Sequence, residues 1–571
     1  MRIKIISAIL FVILFFNTNV LAYRDLANED NQGRQMYWIE RVLKLDDDQI
    51  DIANAALILS REWGTARRTK SYYINAIDSM AEEILDRLAE QKLRPNYKAI
   101  PVINQYLFDE LGFTALDTAD NPEDLFLHSV LDNRQGYCLS LSVLYLGIGE
   151  RVGVPLYGVV VPGHFFVRYD DGNVRFNIET TSNGNTASDE DYIKKFRPPN
   201  GDTIYMKNLS KKQTLGCFFN NLGNCYSAVG ELEIAQEQLV RAVTINPSLT
   251  EAHTNLGNVY LWEGYVNEAV EQYLISLEIL PNDYKTRNNL ANAYTQLKQY
   301  EAAMLQYAAA IKIKPDFPEA YLNLANVYRT IKKPETALSF LKKAAQLKPD
   351  DPSVFRFLGD TSRELVQFAN AAVFYRKAID LDPGFAGTYA SLGFCLLEQE
   401  YVNPAIDEFN NTLSLDSYNT SAWFGLGMCY NKLGANNDEI FAYEQLLNID
   451  PDNAEAHLNL GNAYITAELY DDAAKQYLAG IDLQPENLNF YYNLGVAYSK
   501  AEDYVAALAQ YKYVAERDTK NAAAFNGMAI SYYMLGEYEK AQKCGLAAKA
   551  LGFAVQEELL SSAAKLSAAE K

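Results

Sequence analysis

"PGHFFVRYDDGNVRFNIETT", residues 162–181, reads as a β-hairpin with a histidine at one end and a glutamate at the other. Asp171-Gly172 is a strong two-residue turn signal. Such a turn pairs Asp170 with Asn173, and the register then sets His164 directly opposite Glu179. Their Cβ atoms should lie ~4.5–5.5 Å apart on one face. A slip of one residue would send them to opposite faces. The chain has only four histidines, and this one is placed to meet a carboxylate. That pair is the orienting half of a nucleophilic triad, because the carboxylate fixes the imidazole tautomer and stabilises its charged form.

The nucleophile should lie upstream, in "NRQGYCLSLSVLYLGIGERVGVPLYGVVVPGHFFVRY", residues 133–169. Gly136-Tyr137-Cys138 opens a long apolar run that reads as a helix buried nearly all round. Val154-Pro155 breaks it, and "LYGVVV" (156–161) is a buried strand. A thiol at a helix start beside an imidazolium has its thiolate form favoured, so Cys138, His164 and Glu179 are the candidate catalytic set. The Cys138 backbone N–H is the natural oxyanion donor, with the side chains of Gln135 and Tyr137 as further candidates. His128, in "LFLHSV", is the competing histidine and falls on an apolar helix. No spaced Cys/His pairs suggest zinc, and no cofactor is expected.

Cysteine, helix, "GVP", strand, histidine, and an acid fifteen residues on resembles the core of papain-like and transglutaminase-like enzymes. More closely, "IDIANAALILSRE" (50–62), "LFDELGF" (107–113), "LSLSVLYL" (139–146) and "PGHFFVRY" (162–169) resemble the bacterial Sir-B-type transglutaminase-like family. The resemblance spans about 45–200. It implies an α+β domain with a Cys-His-acid site that cleaves or transfers peptide or amide acyl groups. Glu179 stands where transglutaminases more often have aspartate.

The rest of the chain has a 34-residue period. Pro247, Pro281, Pro315, Pro349 and Pro383 keep it, Ser417 interrupts it, and Pro451 and Pro485 resume it in phase. "NLGNCY" (221–226), "NLANAY" (289–294) and "NLGNAY" (459–464) repeat with it, as does an alanine column broken only by Glu439. This pattern resembles the tetratricopeptide repeat, and ten repeats fit between Gly216 and Val555. The resemblance implies an all-α right-handed superhelix of helix pairs following the α+β domain, with irregular packing expected near Ser417 and Glu439. The tyrosine columns read as core. His253 and His457 share a column with Phe219 and Trp423, so they read as packed rings. Asn224, Asn258, Asn292, Asn326 and Asn462 recur on the first helix of each pair, which lines the concave groove of such arrays. An amide ladder there could hydrogen-bond an extended peptide, although such asparagines also belong to the repeat pattern.

The 571 residues suit two or more domains. A net charge of −22 argues against nucleic acid or anionic lipid as the main partner. "MRIKIISAILFVILFFNTNVLAYRD" has a basic start, a short apolar core and Val20-Leu21-Ala22 before Tyr23. It reads as a cleaved secretory signal, which places the protein outside the cytoplasm, in the periplasm where there is one, without stable membrane insertion. The expected organisation is a signal peptide (1–22), a transglutaminase-like domain (23–205), ten repeats (216–555) and a tail (556–571). Two functional readings follow: an exported cysteine acyl-transfer enzyme or peptidase whose repeats bind protein, and a non-catalytic scaffold for protein–protein interaction.

Overall fold

A computed structural model describes residues 39, 41–117, 121–198 and 203–569. The signal-peptide reading lies outside these residues. The chain divides into two compact units, at Ala320 and Tyr321.

The first unit begins with two helices, α1 (Ile52–Trp63) and α2 (Lys70–Glu90). Asp51 and Thr69 cap them by accepting from the backbone N–H groups of Asn54 and Tyr72. A short helix, α3 (Leu127–Asn133), leads to α4 (Cys138–Val152). Helix α4 is apolar on every side, and thirteen of its fifteen residues are buried, so it forms the centre of the domain. Gly147 makes this possible: a Cβ there would lie 2.6 Å from that of Ala53. Gly153, at φ +81°, ends the helix in the left-handed region.

Four antiparallel strands follow in chain order: β1 (Leu156–Val161), β2 (His164–Asp170), β3 (Arg175–Glu179) and β4 (Asn185–Ala187). Helix α5 (Asp189–Phe196) comes next. Phe165, Val167, Tyr169 and Ile178 belong to the main core with α4. Val159, Val161 and Phe166 form a smaller core with Tyr192 of α5. Alternation along β2 therefore puts His164 on the face covered by α5. The free edge of β1 is closed by the chain beyond the domain, where Met206 N–H and Leu209 N–H donate to Val160 and Gly158 carbonyls.

The hairpin register differs from the expected one. Asp170 pairs with Arg175, not Asn173, so the loop holds four residues instead of two. The Asp171 carboxylate accepts from the backbone N–H groups of Asn173 and Val174, at 2.9 and 2.7 Å. This local turn competes with the shorter one. The displacement is an even number of residues, so every side chain keeps its face.

Ten helix pairs follow, from α6 (Lys211–Ala228) with α7 (Leu232–Ile245) to Ala522–Met534 with Tyr538–Ala550. In each of several pairs a small residue on the first helix admits a tyrosine from the second. A Cβ on Gly461 would lie 2.5 Å from the Tyr477 ring. Helix lengths stay regular near Ser417 and Glu439. The second helices Val402–Leu415 and Asn436–Ile449 both keep the usual fourteen residues. Glu439 is buried in the alanine column, where Asn431 donates to it at 2.9 Å. Residues 557–569, expected as tail, form a further helix that buries Leu560 and Ala563.

The turn within each pair places one residue in the left-handed region. Glycine fills it at 264, 434 and 536, whereas Val366 fills it at φ +58° while 70% exposed. A β-branched residue is strained there. Val366→Gly should therefore stabilise the second unit by about 1 kcal/mol. The check is a higher urea midpoint at unchanged slope.

Candidate functional site

Cys138 is the first residue of α4, so its backbone N–H lies outside the helical ladder. The start of this helix is well held. Ser140 Oγ accepts from Tyr137 N–H at 2.8 Å and reaches the Asp124 carbonyl at 3.2 Å. One turn after Cys138, Ser142 bonds Thr180 at 2.9 Å, tying α4 to the residue after Glu179.

His164 Nε2 lies 2.7 Å from Glu179 Oε2. The two are diagonal, not directly opposite, neighbours across β2 and β3, and glutamate's extra methylene spans the diagonal. The Cys138 thiol also acts on this ring and favours its charged form. The structure thus brings Cys138, His164 and Glu179 together. Cys138 is 6% exposed, and the side chains of His164 and Glu179 are 14% and 13% exposed.

Burial alone would make the His164 ring less basic. The hydrogen bonds to Cys138 and Glu179, and the Glu179 charge, outweigh it and raise the pKa to about 9. Burial likewise opposes ionisation of Glu179. The His164 bond and charge, with hydroxyls from Thr181 and Tyr192, outweigh it and hold the carboxyl at about 2. The site is built to carry an imidazolium beside a carboxylate across neutral pH.

Several of these partners escaped the sequence. Thr181 donates to Glu179 Oε1 through both its hydroxyl and its N–H, at 2.6 and 3.2 Å. Tyr192 donates to Oε2 at 2.8 Å. Phe196 lies parallel to the His164 ring, centroids 4.9 Å apart at 4°. Both aromatic residues come from one face of α5, four positions apart. The helix "DEDYIKKF" is mostly charged, and its aromatic spacing is the only trace of this role. Its first residue, Asp189, receives the fully buried Arg168 at 2.6 Å and Asn177 at 2.8 Å.

The remaining candidates lie elsewhere. Gln135 is exposed and Tyr137 half-buried at the approach to Cys138. His128 is buried on α3 against Glu123, 3.3 Å away, where burial lowers its pKa. Asn258, Asn292 and Asn462 accept from the core hydroxyls of Tyr273, Tyr307 and Tyr477, at 2.8, 2.6 and 2.8 Å. Their oxygens therefore satisfy buried phenols within the same pair. Asn224 and Asn326 are exposed, and Leu239 and Leu341 occupy the positions of those tyrosines. His253 and His457 do more than fill a ring column. Each reaches the carbonyl six residues back, that of Pro247 or Pro451, and Arg287, Trp423 and Tyr491 do the same. At these five positions the column supplies a donor that closes the preceding turn. All six cysteines are free, and no described helix is long and apolar enough to cross a membrane.

Comparison with known proteins agrees with this architecture. Residues 71–214 match the transglutaminase-like superfamily, and 218–249, 291–351 and 429–522 match tetratricopeptide repeats. A UPF0162 protein of Xylella fastidiosa (strain 9a5c) is 29% identical over 163 residues, covering 28% of this chain and 56% of its own length. The F-box only protein 21 of Mus musculus is 38% identical over 77 residues, covering 13% of this chain and 12% of its own. The chain spans about half the length of the Xylella relatives it matches. Among solved structures, YrrB, a tetratricopeptide protein with an unusual peptide-binding site, is 23% identical over 32% of this chain and 95% of its own, with a TM-score of 0.29. The chain carries a transglutaminase-like core domain followed by a run of tetratricopeptide repeats.

Proposed function

We propose that the front domain is a cysteine acyl-transfer or peptidase site and that the repeats hold its protein partner. The observation that carries the reading is the junction of Cys138, at the head of α4, with a His164 ring already held by Glu179 at 2.7 Å. In the reaction the Cys138 thiolate attacks a peptide or amide carbonyl, with the Cys138 N–H facing the developing oxyanion. As the tetrahedral adduct collapses, the C–N bond breaks and the imidazolium gives its proton to the leaving amine. Water or a second amine then resolves the thioester, and the imidazole takes a proton from it. Neither step requires a metal. Partner binding falls to the repeats, where Asn224, Asn326 and Asn462 are exposed on the first helices. The signal-like segment supports work outside the cytoplasm, in the periplasm where one exists. Fractionation that finds the mature protein in the cytosol with Met1 intact would overturn that part.

The burial of Cys138 favours a second reading, in which the domain is a non-catalytic binding module. A thiol-reactive probe separates the two. The enzyme reading expects labelling of Cys138 at mildly acidic pH that is lost in His164→Ala. An inert Cys138 in the folded wild type, or labelling indifferent to His164, supports the scaffold.

A further inference from the structure

We propose that Tyr192 is a positioning residue of the Cys138–His164–Glu179 unit, its hydroxyl sharing the Glu179 oxygen that faces His164 and so setting how tightly the carboxylate holds the ring proton. The inference rests on the reading of this unit as a nucleophilic site. Tyr192 Oη and His164 Nε2 approach the same atom, Oε2, at 2.8 and 2.7 Å. Two donors on one oxygen compete for its charge, so the phenol weakens the hold on the imidazolium. Thr181 occupies the other oxygen through two bonds. The carboxylate therefore cannot turn away from the imidazole, and tempering falls to Tyr192.

The phenol is well placed for this. It is 4% exposed, and its ring stacks on Phe166 with centroids 3.9 Å apart. Burial and the Glu179 charge raise its pKa, so it remains a donor at every working pH. The titratable groups that face the imidazole are Cys138 from α4, Glu179 from β3 and Tyr192 from α5. Lys195 lies over the Phe196 ring at 4.9 Å, and Arg168 acts on Tyr192 from β2. An imidazolium held without relief would be a poor proton donor to a leaving amine, since general acids work best with a pKa near the operating pH.

The test is NMR titration of the His164 ring in the full chain. With four histidines in all, the signal can be assigned by single substitutions. Wild type should titrate well above the ordinary 6.5. Tyr192→Phe keeps the stacked ring and removes only the donor, and its midpoint should rise by about half a unit to one unit, a three- to tenfold gain in proton affinity. An unchanged midpoint would mean that the ring merely packs, and a lowered one that the hydroxyl holds the carboxylate in place; either overturns the inference. Should Tyr192→Phe fail to fold, 3-fluorotyrosine introduced at position 192 is a stronger donor and should lower the midpoint; no shift or a rise again overturns it. A wild-type His164 that titrates at 6.5 beside an inert Cys138 defeats the nucleophilic reading itself, which is a separate result.

Discussion

Cys138→Ala, His164→Ala and the double substitution should all reduce kcat/KM towards a true amide substrate to the same residual level. Groups that act as one unit fail together, so the losses do not add. An effect of about three orders of magnitude or more is expected for each, since the nucleophile and its proton carrier serve both halves of the reaction. Glu179→Gln should be impaired yet measurable. The amide can still receive Thr181 and Tyr192, but it cannot neutralise the imidazolium. Circular dichroism should show each variant folded, because Cys138→Ala removes a single sulfur atom from a helix start that Ser140 holds on its own. A double variant much worse than either single one would mean that Cys138 and His164 act independently.

The pH dependence of stability should carry the same signature. His164 has its pKa raised to about 9 in the fold. Its contribution is full below the ordinary 6.5 and is lost as pH rises through 9. Glu179 is held at about 2, so its contribution is full above 4.5 and is lost as pH falls through 2. The pair thus supports the fold most between about 4.5 and 6.5. His164→Gln should flatten the alkaline fall and lower the plateau between about 4.5 and 6.5, because the variant lacks the contribution that the raised His164 pKa supplies there.

Much of this was legible before any coordinates, for reasons that can be named. His164 and Glu179 share a face because strand parity survives an even displacement, although the Asp171 carboxylate lengthened the turn by two residues. The repeats were legible because proline, alanine and tyrosine columns keep a common phase. What stayed hidden were roles that depend on a donor rather than a shape. His253, Arg287, Trp423 and Tyr491 share little volume or charge, yet each presents an N–H or O–H to the same carbonyl. The asparagine column repeats as a ligand ladder would, but Tyr273, Tyr307 and Tyr477 claim three of its oxygens. Tyr192 and Phe196 sit in a charged helix, so periodicity gave no reason to bring them to the imidazole.

A chain of residues 39–209, ending just before α6, should not fold cooperatively, whereas residues 39–317 should. The first repeat looks like the others in sequence, but its first helix belongs to the core of the front domain. Cys217, Phe218, Phe219, Leu222 and Cys225 of α6 are buried in one cluster with Leu125, Phe126 and Cys138. The Phe218 and Phe126 rings are 6.3 Å apart. Polar contacts run the same way. The Asp47 carboxylate accepts from the N–H groups of Lys211 and Lys212 at 3.0 Å, Lys211 reaches Glu150 and the Ile50 carbonyl, and Tyr205 bonds Glu251 and Thr250. Removing α6 uncovers the groups beneath Phe218, Phe219 and Leu222. At roughly 1.5–3 kcal/mol for each buried side chain, the loss is comparable to the ~5–15 kcal/mol that holds a typical domain together. The short chain should therefore show a broad thermal transition, exposed apolar surface and no His164-dependent labelling of Cys138. The longer chain should melt in one sharp step and label like the full protein. A short chain that melts sharply would show that the front domain closes its core without the repeats.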